Sequence, residues 1–209
     1  MTELIDPKLF SDDVMMKKFR FIVELDKLKM VFRRTLLLDK SRTENDAEHS
    51  WEMATMALVL HSYAEPGTDL LRVLKMLLIH DLVEIDAGDT YVYDRVGIRD
   101  QPERESAAAS RIFGLLEDPE GAELHALWRE FEDRITPEAR FARALDRLQP
   151  LFHNYCTAGQ VWRQNAIKAS QVRQAMQVIR EGSATLGLFA DRLIDASVEE
   201  GYLATSDEG

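Results

Sequence analysis

The chain has 209 residues, and 26 Lys and Arg stand against 37 Asp and Glu, a formal net charge of −11. That length suits a single domain over residues 1–209 whose core needs no disulfide staples. The acidic balance excludes nonspecific binding to nucleic acid or to anionic membrane, because both require excess Lys and Arg. Only 10 Gly and 6 Pro are present, too few for a loop-rich β protein, and the single Cys156 excludes a disulfide framework and a multi-Cys zinc site.

The opening segment MTELIDPKLFSDD is acidic where a secretion signal would be basic and then apolar. No stretch approaches the ~18 uncharged apolar residues of a spanning helix. With one cysteine, the expectation is a cytoplasmic protein. A helix is predicted from Val14 to Phe32, with Phe21, Leu25, Leu28 and Phe32 on one face and Ser11 or Asp12 as cap. A second runs from Asp46 to Tyr63 and stops at Glu65-Pro66-Gly67. A third runs from Asp69 to Ile85, apolar nearly all round and therefore the buried central helix, ended by Gly88. After a loop through Gly97, a helix opens at Pro102 behind Asp100 or Gln101 and continues to Leu116. Others cover Ala122 to Glu132 and the segment after Thr136-Pro137-Glu138, whose stripe is Phe141, Leu145, Leu148 and Phe152. Residues 158–202 read as one or two helices interrupted near Gly182-Ser183, before a polar tail expected to fray. No strand alternation or repeat is visible. The fold class is all-α.

Chemistry concentrates where an apolar helix should have none. In LLIHDLVEIDAGD, His80 and Asp81 are adjacent, Glu84 follows one turn on, and Asp89 lies just past Gly88. Burying a carboxylate without compensation costs several kcal/mol. A divalent cation would satisfy the cluster, and imidazole with carboxylate suits Mn, Co, Fe, Ni or Zn. A buried ion pair or a set of capping groups would also satisfy it. Two further residues bear on the choice. His49 lies in RTENDAEHSW at the start of the second helix, and Asp146 lies in RALDRL beside an apolar stripe. Taken singly, His49 reads equally as a satisfied polar residue, and Asp146 as a surface partner of Arg143 or Arg147.

The order His49, His80-Asp81, Asp146 resembles the H…HD…D signature of the HD-domain metal-dependent phosphohydrolases. RTEN followed by EHS, and HDxxExxxGD over His80 to Asp89, are similar to the 5′-deoxynucleotidase branch, over roughly residues 15–155. The resemblance implies an HD-domain helical bundle, one divalent metal, a homodimer, and hydrolysis of a nucleoside 5′-monophosphate. It implies His49, His80, Asp81 and Asp146 as metal ligands, Glu84 as the acid/base residue, and Asp89 as a carboxylate supporting water and leaving group. It also implies a phosphate-binding arginine, Arg34 by ungapped spacing to RTEN, with Arg33 beside it. Where the family has a Trp tied to 2′-deoxy selectivity this chain has Thr35, which leaves the sugar preference open.

Two other functions compete. One is hydrolysis of a longer phosphate chain, such as a nucleoside triphosphate or an alarmone. It needs more cations than Arg33, Arg34, Arg42, Lys75 and Arg147 supply. The other is a non-catalytic metal or nucleotide sensor, which would have lost ligands or Glu84. His61 and His125 are expected to be solvated, and His153 and Asn154 are candidates for the pocket wall. Trp51, Trp128 and Trp162 are expected in the core or at a dimer contact. Cys156 has no activating neighbour, and there is no Gly-rich phosphate loop. Residues 158–202 carry more apolar surface than the catalytic core requires, so they pack on that core or on a dimer partner.

Overall fold

The computed structural model describes residues 6–205. The acidic start and the fraying tail of the sequence lie partly outside them. Helix α1 (Asp13–Leu25) is capped by Asp12, whose carboxylate accepts from the Met15 amide at 2.7 Å. The helix predicted to reach Phe32 stops at Leu25. A 3-10 turn, Asp26–Met30, follows. Phe32 then begins strand β1 (Phe32–Leu36), antiparallel to β2 (Thr43–Asn45), with Phe32 opposite Asn45 and Leu36 opposite Thr43. This ribbon escapes sequence reading because FRRTL carries an arginine on each face. Its period of two turns Arg33 and Thr35 inward and leaves Phe32 and Arg34 exposed.

β2 runs directly into α2 (Asp46–Leu60). Asn45 is the cap: its side chain accepts from the Glu48 amide at 3.0 Å, and Glu48 Oε2 accepts from the Asn45 amide at 3.1 Å. This reciprocal capping box fixes the first turn that carries His49. Much of RTENxxEHS is therefore architecture. Arg42 belongs to it too, pairing with Glu48 at 2.8 Å.

α3 (Leu70–Ile79) starts at the Asp69 cap. The single helix expected to Ile85 changes form after Ile79, into a 3-10 turn over His80–Val83 and then α4 (Glu84–Ala87). Gly88, at φ 74°, ends it in a conformation that favours glycine. α3 is also less enclosed than its composition suggests: Val73, Met76 and Leu77 are buried, while Leu71 and Leu78 face outward. Trp51 on α2 is likewise exposed and is not a core residue, whereas Trp128 and Trp162 are buried.

α5 (Gln101–Phe113) and α6 (Glu120–Asp133) lead to the long α7 (Pro137–Cys156), opened by the Thr136 side chain on the Ala139 amide. Phe141, Leu145 and Leu148 are buried as predicted. Leu151 rather than Phe152 completes the stripe, and Phe152 is 40% exposed. The remainder forms four helices, α8 (Gln160–Gln164), α9 (Ala169–Ala175), α10 (Gln177–Gly182) and α11 (Ala184–Glu199), not one or two. Gly182 lets α10 approach α7: a Cβ there would sit 2.2 Å from the Arg140 carbonyl oxygen. Val172, Ile179 and Ile194 join the same buried cluster as Phe141 and Leu145, while Leu188 and Phe189 stay exposed. Among the described residues no helix is long and apolar enough to cross a membrane.

Candidate active site

The first turn of α2, the 3-10 turn after α3 and the middle of α7 meet at one buried point. His49, His80 and Asp81 place ligand atoms within 4.8 Å of one another. Asp146 Oδ1 closes the set, 3.2 Å from His49 Nε2 and 3.9 Å from His80 Nε2. All four residues are buried.

The outer ring nitrogens decide what the inner ones offer. His80 Nδ1 faces the Leu77 carbonyl oxygen at 3.0 Å, so it carries the proton and donates. His49 Nδ1 faces Gln149 Oε1 at 3.1 Å. The Gln149 amide nitrogen lies between Glu44 Oε2 at 2.8 Å and Glu52 Oε2 at 2.7 Å, which fixes its NH₂ there and its oxygen toward His49. Both imidazoles therefore turn Nε2 inward, the arrangement in which an outer partner orients a metal-binding histidine. His80 Nε2 is 2.9 Å from Asp81 Oδ1 but not aligned for a hydrogen bond, and it is left without one. Two imidazole nitrogens and two carboxylates around an unpartnered nitrogen fit a divalent first-row cation.

Beside this set lies a second group. Asp46, Asp81 and Glu84 bring carboxylate oxygens within 4.8 Å of one another. Burial, then the charge of Asp81, pushes Asp46 up to about 7. Burial, then Asp81, Asp46 and Asp89, raises Glu84 well above the ordinary carboxylate range, and its buried Oε2 has no hydrogen-bond partner among the described residues. Burial also raises Asp89, against the opposing pull of Arg33. Asp81 behaves oppositely: burial is outweighed by His80 and Arg33, and it is held at about 2. Asp146 stays well below its ordinary value because Arg147, His49 and Arg143 outweigh burial.

The two arginines of β1 separate. Arg33 reaches Glu44 at 3.2 Å, Asp46 at 3.3 Å, Asp81 at 3.2 Å and Asp89 at 3.5 Å. Arg34, favoured by ungapped spacing, stands at the mouth, donating to Asn165 Oδ1 at 2.8 Å with its guanidinium 5.0 Å from the Tyr91 ring centre. Both line a cleft with Thr35, His80, Asp81, Glu84, Asp89 and Asp146, as does Asn154, whereas His153, Arg42 and Lys75 do not. His153 instead pairs with Glu52 at 3.0 Å. Neither discounted histidine is simply solvated: His61 bonds the Thr68 carbonyl at 2.9 Å, and the partly buried His125 ring lies between Phe113 and Trp128.

Sequence reading gave Glu44, Asp46 and Gln149 no place in the site and took Arg143 only as a surface partner of Asp146, a pair the structure forms at 3.1 Å but encloses. The available signal for Gln149 was a glutamine three residues beyond Asp146, next to the apolar Leu148.

Fold and site define a mainly helical protein, with one two-stranded ribbon, in which a buried His, His-Asp, Asp set lies beside a cleft lined with acids and arginines. The chain belongs to the HD domain family, whose sequence profile matches residues 25–186. A protein from Magnetospirillum magnetotacticum MS-1, described as a predicted metal-dependent phosphohydrolase, has a crystal structure similar to this one. Its TM-score is 0.88 and its identity 50%, covering 92% of this chain and 100% of that one. The 5′-deoxynucleotidase HDDC2 of Danio rerio is 33% identical over 114 residues, 54% of this chain and 56% of the relative. That of Homo sapiens is 31% identical over 108 residues, 52% of each. The chain thus spans about half the length of the curated relatives it matches.

Proposed function

We propose that the protein is a metal-dependent phosphomonoesterase that hydrolyses a nucleoside 5′-monophosphate to nucleoside and inorganic phosphate. One observation carries the reading. The inward Nε2 atoms of His49 and His80 meet Asp81 and Asp146 beside a buried carboxyl, Glu84, that lines the cleft. His49, His80, Asp81 and Asp146 would hold one divalent cation, with Mn, Co, Fe, Ni and Zn all suited to the donors. When bound, such a cation acidifies water and polarises a phosphoryl oxygen.

The chain's own groups supply the proton movements. A water oxygen bonds to phosphorus as the bond from phosphorus to the ester 5′ oxygen breaks. Glu84 hands its carboxyl proton to the departing 5′ oxygen, and Asp89 takes a proton from the attacking water. Burial raises both carboxyls, which suits Glu84 as an acid near neutral pH and makes Asp89 a stronger base than an ordinary carboxylate. Arg33 holds Asp81 and Asp89 in place from β1, and Arg34 at the mouth draws in the anion. The cation inventory favours a monophosphate over a longer chain, because Arg42 and Lys75 lie off the cleft and Arg33 is already surrounded by carboxylates.

The test is phosphate release from a panel of ribo- and 2′-deoxyribonucleoside 5′-monophosphates. The protein is stripped of metal and resupplied with Mn, Co, Mg or Zn, with Asp81→Ala as control. Metal-dependent release that the control lacks is the expected result. The ratio of the two sugar series reports what Thr35 allows. No release with any metal would refute the reading.

A further inference from the structure

Four arginines line the cleft, and their surroundings divide them. Arg33 has four carboxylates within 3.5 Å. Arg143 donates to Asp146 Oδ2 at 3.1 Å and to Glu132 at 3.2 Å, and lies 4.8 Å from the Phe131 ring centre. Arg34 is bonded to Asn165 and stacked on Tyr91. Arg147 differs. Among the described residues it donates no hydrogen bond. Its one ion-pair partner is Asp146 Oδ2 at 3.5 Å, an oxygen already engaged by Arg143. Its side chain is 23% exposed, largely enclosed yet open to the cleft.

A guanidinium carries five N–H donors in a rigid fork. Enclosed on its other sides and open to the cleft, with one distant and shared carboxylate oxygen, the fork keeps donors available to a ligand. The other oxygen of the same Asp146 carboxylate faces His49 Nε2 at 3.2 Å. The uncommitted fork and the donor set therefore stand on either side of a single carboxylate group. An anion entering here finds in Arg147 the cleft arginine that donates no hydrogen bond among the described residues. A sugar hydroxyl could accept one hydrogen bond from it but would leave the charge uncompensated, whereas a phosphate monoester supplies both the paired oxygens and the negative charge.

We infer that Arg147 is the residue that grips the non-ester oxygens of the substrate's phosphate, an assignment that rests on the phosphohydrolase reading above. The full chain, loaded with Mn, is titrated with inorganic phosphate in a calorimeter, alongside Arg147→Met and Arg147→Lys. Arg147→Met should bind phosphate about 10- to 100-fold more weakly, the equivalent of one charge-assisted hydrogen bond, at unchanged metal content. Arg147→Lys, which keeps the charge and loses the fork, should fall between. Phosphate affinity in Arg147→Met within twofold of the parent overturns the assignment while leaving the phosphohydrolase reading intact. A parent that binds no phosphate with any metal overturns both. A variant that fails to fold is covered by phenylglyoxal labelling of the unmutated protein: bound phosphate should protect Arg147, and equal labelling with and without phosphate counts against it.

Discussion

Gln149→Leu tests how the interior fixes the metal-binding face of His49. Gln149 is 1% exposed, and four side chains meet its amide. Its oxygen accepts from His49 Nδ1, and its nitrogen donates to Glu44 and Glu52, with His153 Nε2 as a fourth, longer contact at 3.3 Å. Leucine keeps the volume and removes every one of these bonds. The Glu52 side chain is 35% exposed and recovers water, and its second oxygen still faces His153. The His49 N–H and Glu44 Oε2 are buried from water, and the nearest acceptor left to His49 Nδ1 is Glu44 Oε1 at 3.6 Å. At about 1–3 kcal/mol for each unsatisfied buried group, the loss is about 2–6 kcal/mol, and each kcal/mol lowers Tm by about 2–4 °C in a domain of this size. Loss of the partner that orients a ligating histidine should also weaken metal binding about 10- to 100-fold. Chelator competition with Mn or Zn measures the second effect, and a thermal melt the first. Gln149→Glu separates them. It retains an acceptor for His49, so metal affinity should stay near the parent's, while a third carboxylate beside Glu44 and Glu52 lowers stability, less so in acid. A Gln149→Leu protein that melts early but binds metal as tightly as the parent would refute the orienting role.

Further outcomes follow from the same geometry. Asp81→Ala should lose metal and hydrolysis together, whereas Glu84→Gln should keep the metal and lose about 10²–10⁴-fold in turnover, read from metal content and phosphate release on the same preparations. In the metal-free protein, Glu84→Gln should raise Tm at pH 8, because ionising that carboxyl among Asp81, Asp46 and Asp89 is costly there. His153 is raised above its ordinary 6.5, since Glu52 outweighs burial. Its contribution is complete below that value and is lost as pH rises through the higher folded value, so melts from pH 6 to 9 should converge for parent and His153→Gln as pH increases. Gly182→Ala forces a Cβ to 2.2 Å from the Arg140 oxygen and 2.7 Å from the Ala144 Cβ. It should cost about 1–3 kcal/mol, seen as an earlier melt without loss of bound metal.

The candidate ligands were legible one by one because buried polarity is conspicuous. His80-Asp81 interrupts an apolar run, and no arrangement of Leu, Val and Ile around an isolated carboxylate is stable. Helix starts were legible for a related reason, since Asp12, Asn45, Asp69 and Thr136 cap through their own side chains within three residues of sequence. What hid was non-local. β1 is held by pairing with β2 and by packing on α7, neither of which leaves a trace in FRRTL.

By itself, then, the sequence determined an all-α chain, its main helix starts, and a set of acids and imidazoles that an apolar interior cannot hold without compensation. These follow from periodicity, capping and the cost of burying charge, all properties of neighbours along the chain. Tertiary structure alone decided which of two adjacent arginines enters the acid cluster, because a strand sends successive side chains to opposite faces and Arg33 took the inner one. It decided that Gln149, 100 residues from His49, sets which ring nitrogen points inward. It also decided that Arg147 is the cleft arginine that donates no hydrogen bond among the described residues, since the partners of a guanidinium depend on which carboxylates the fold brings near it.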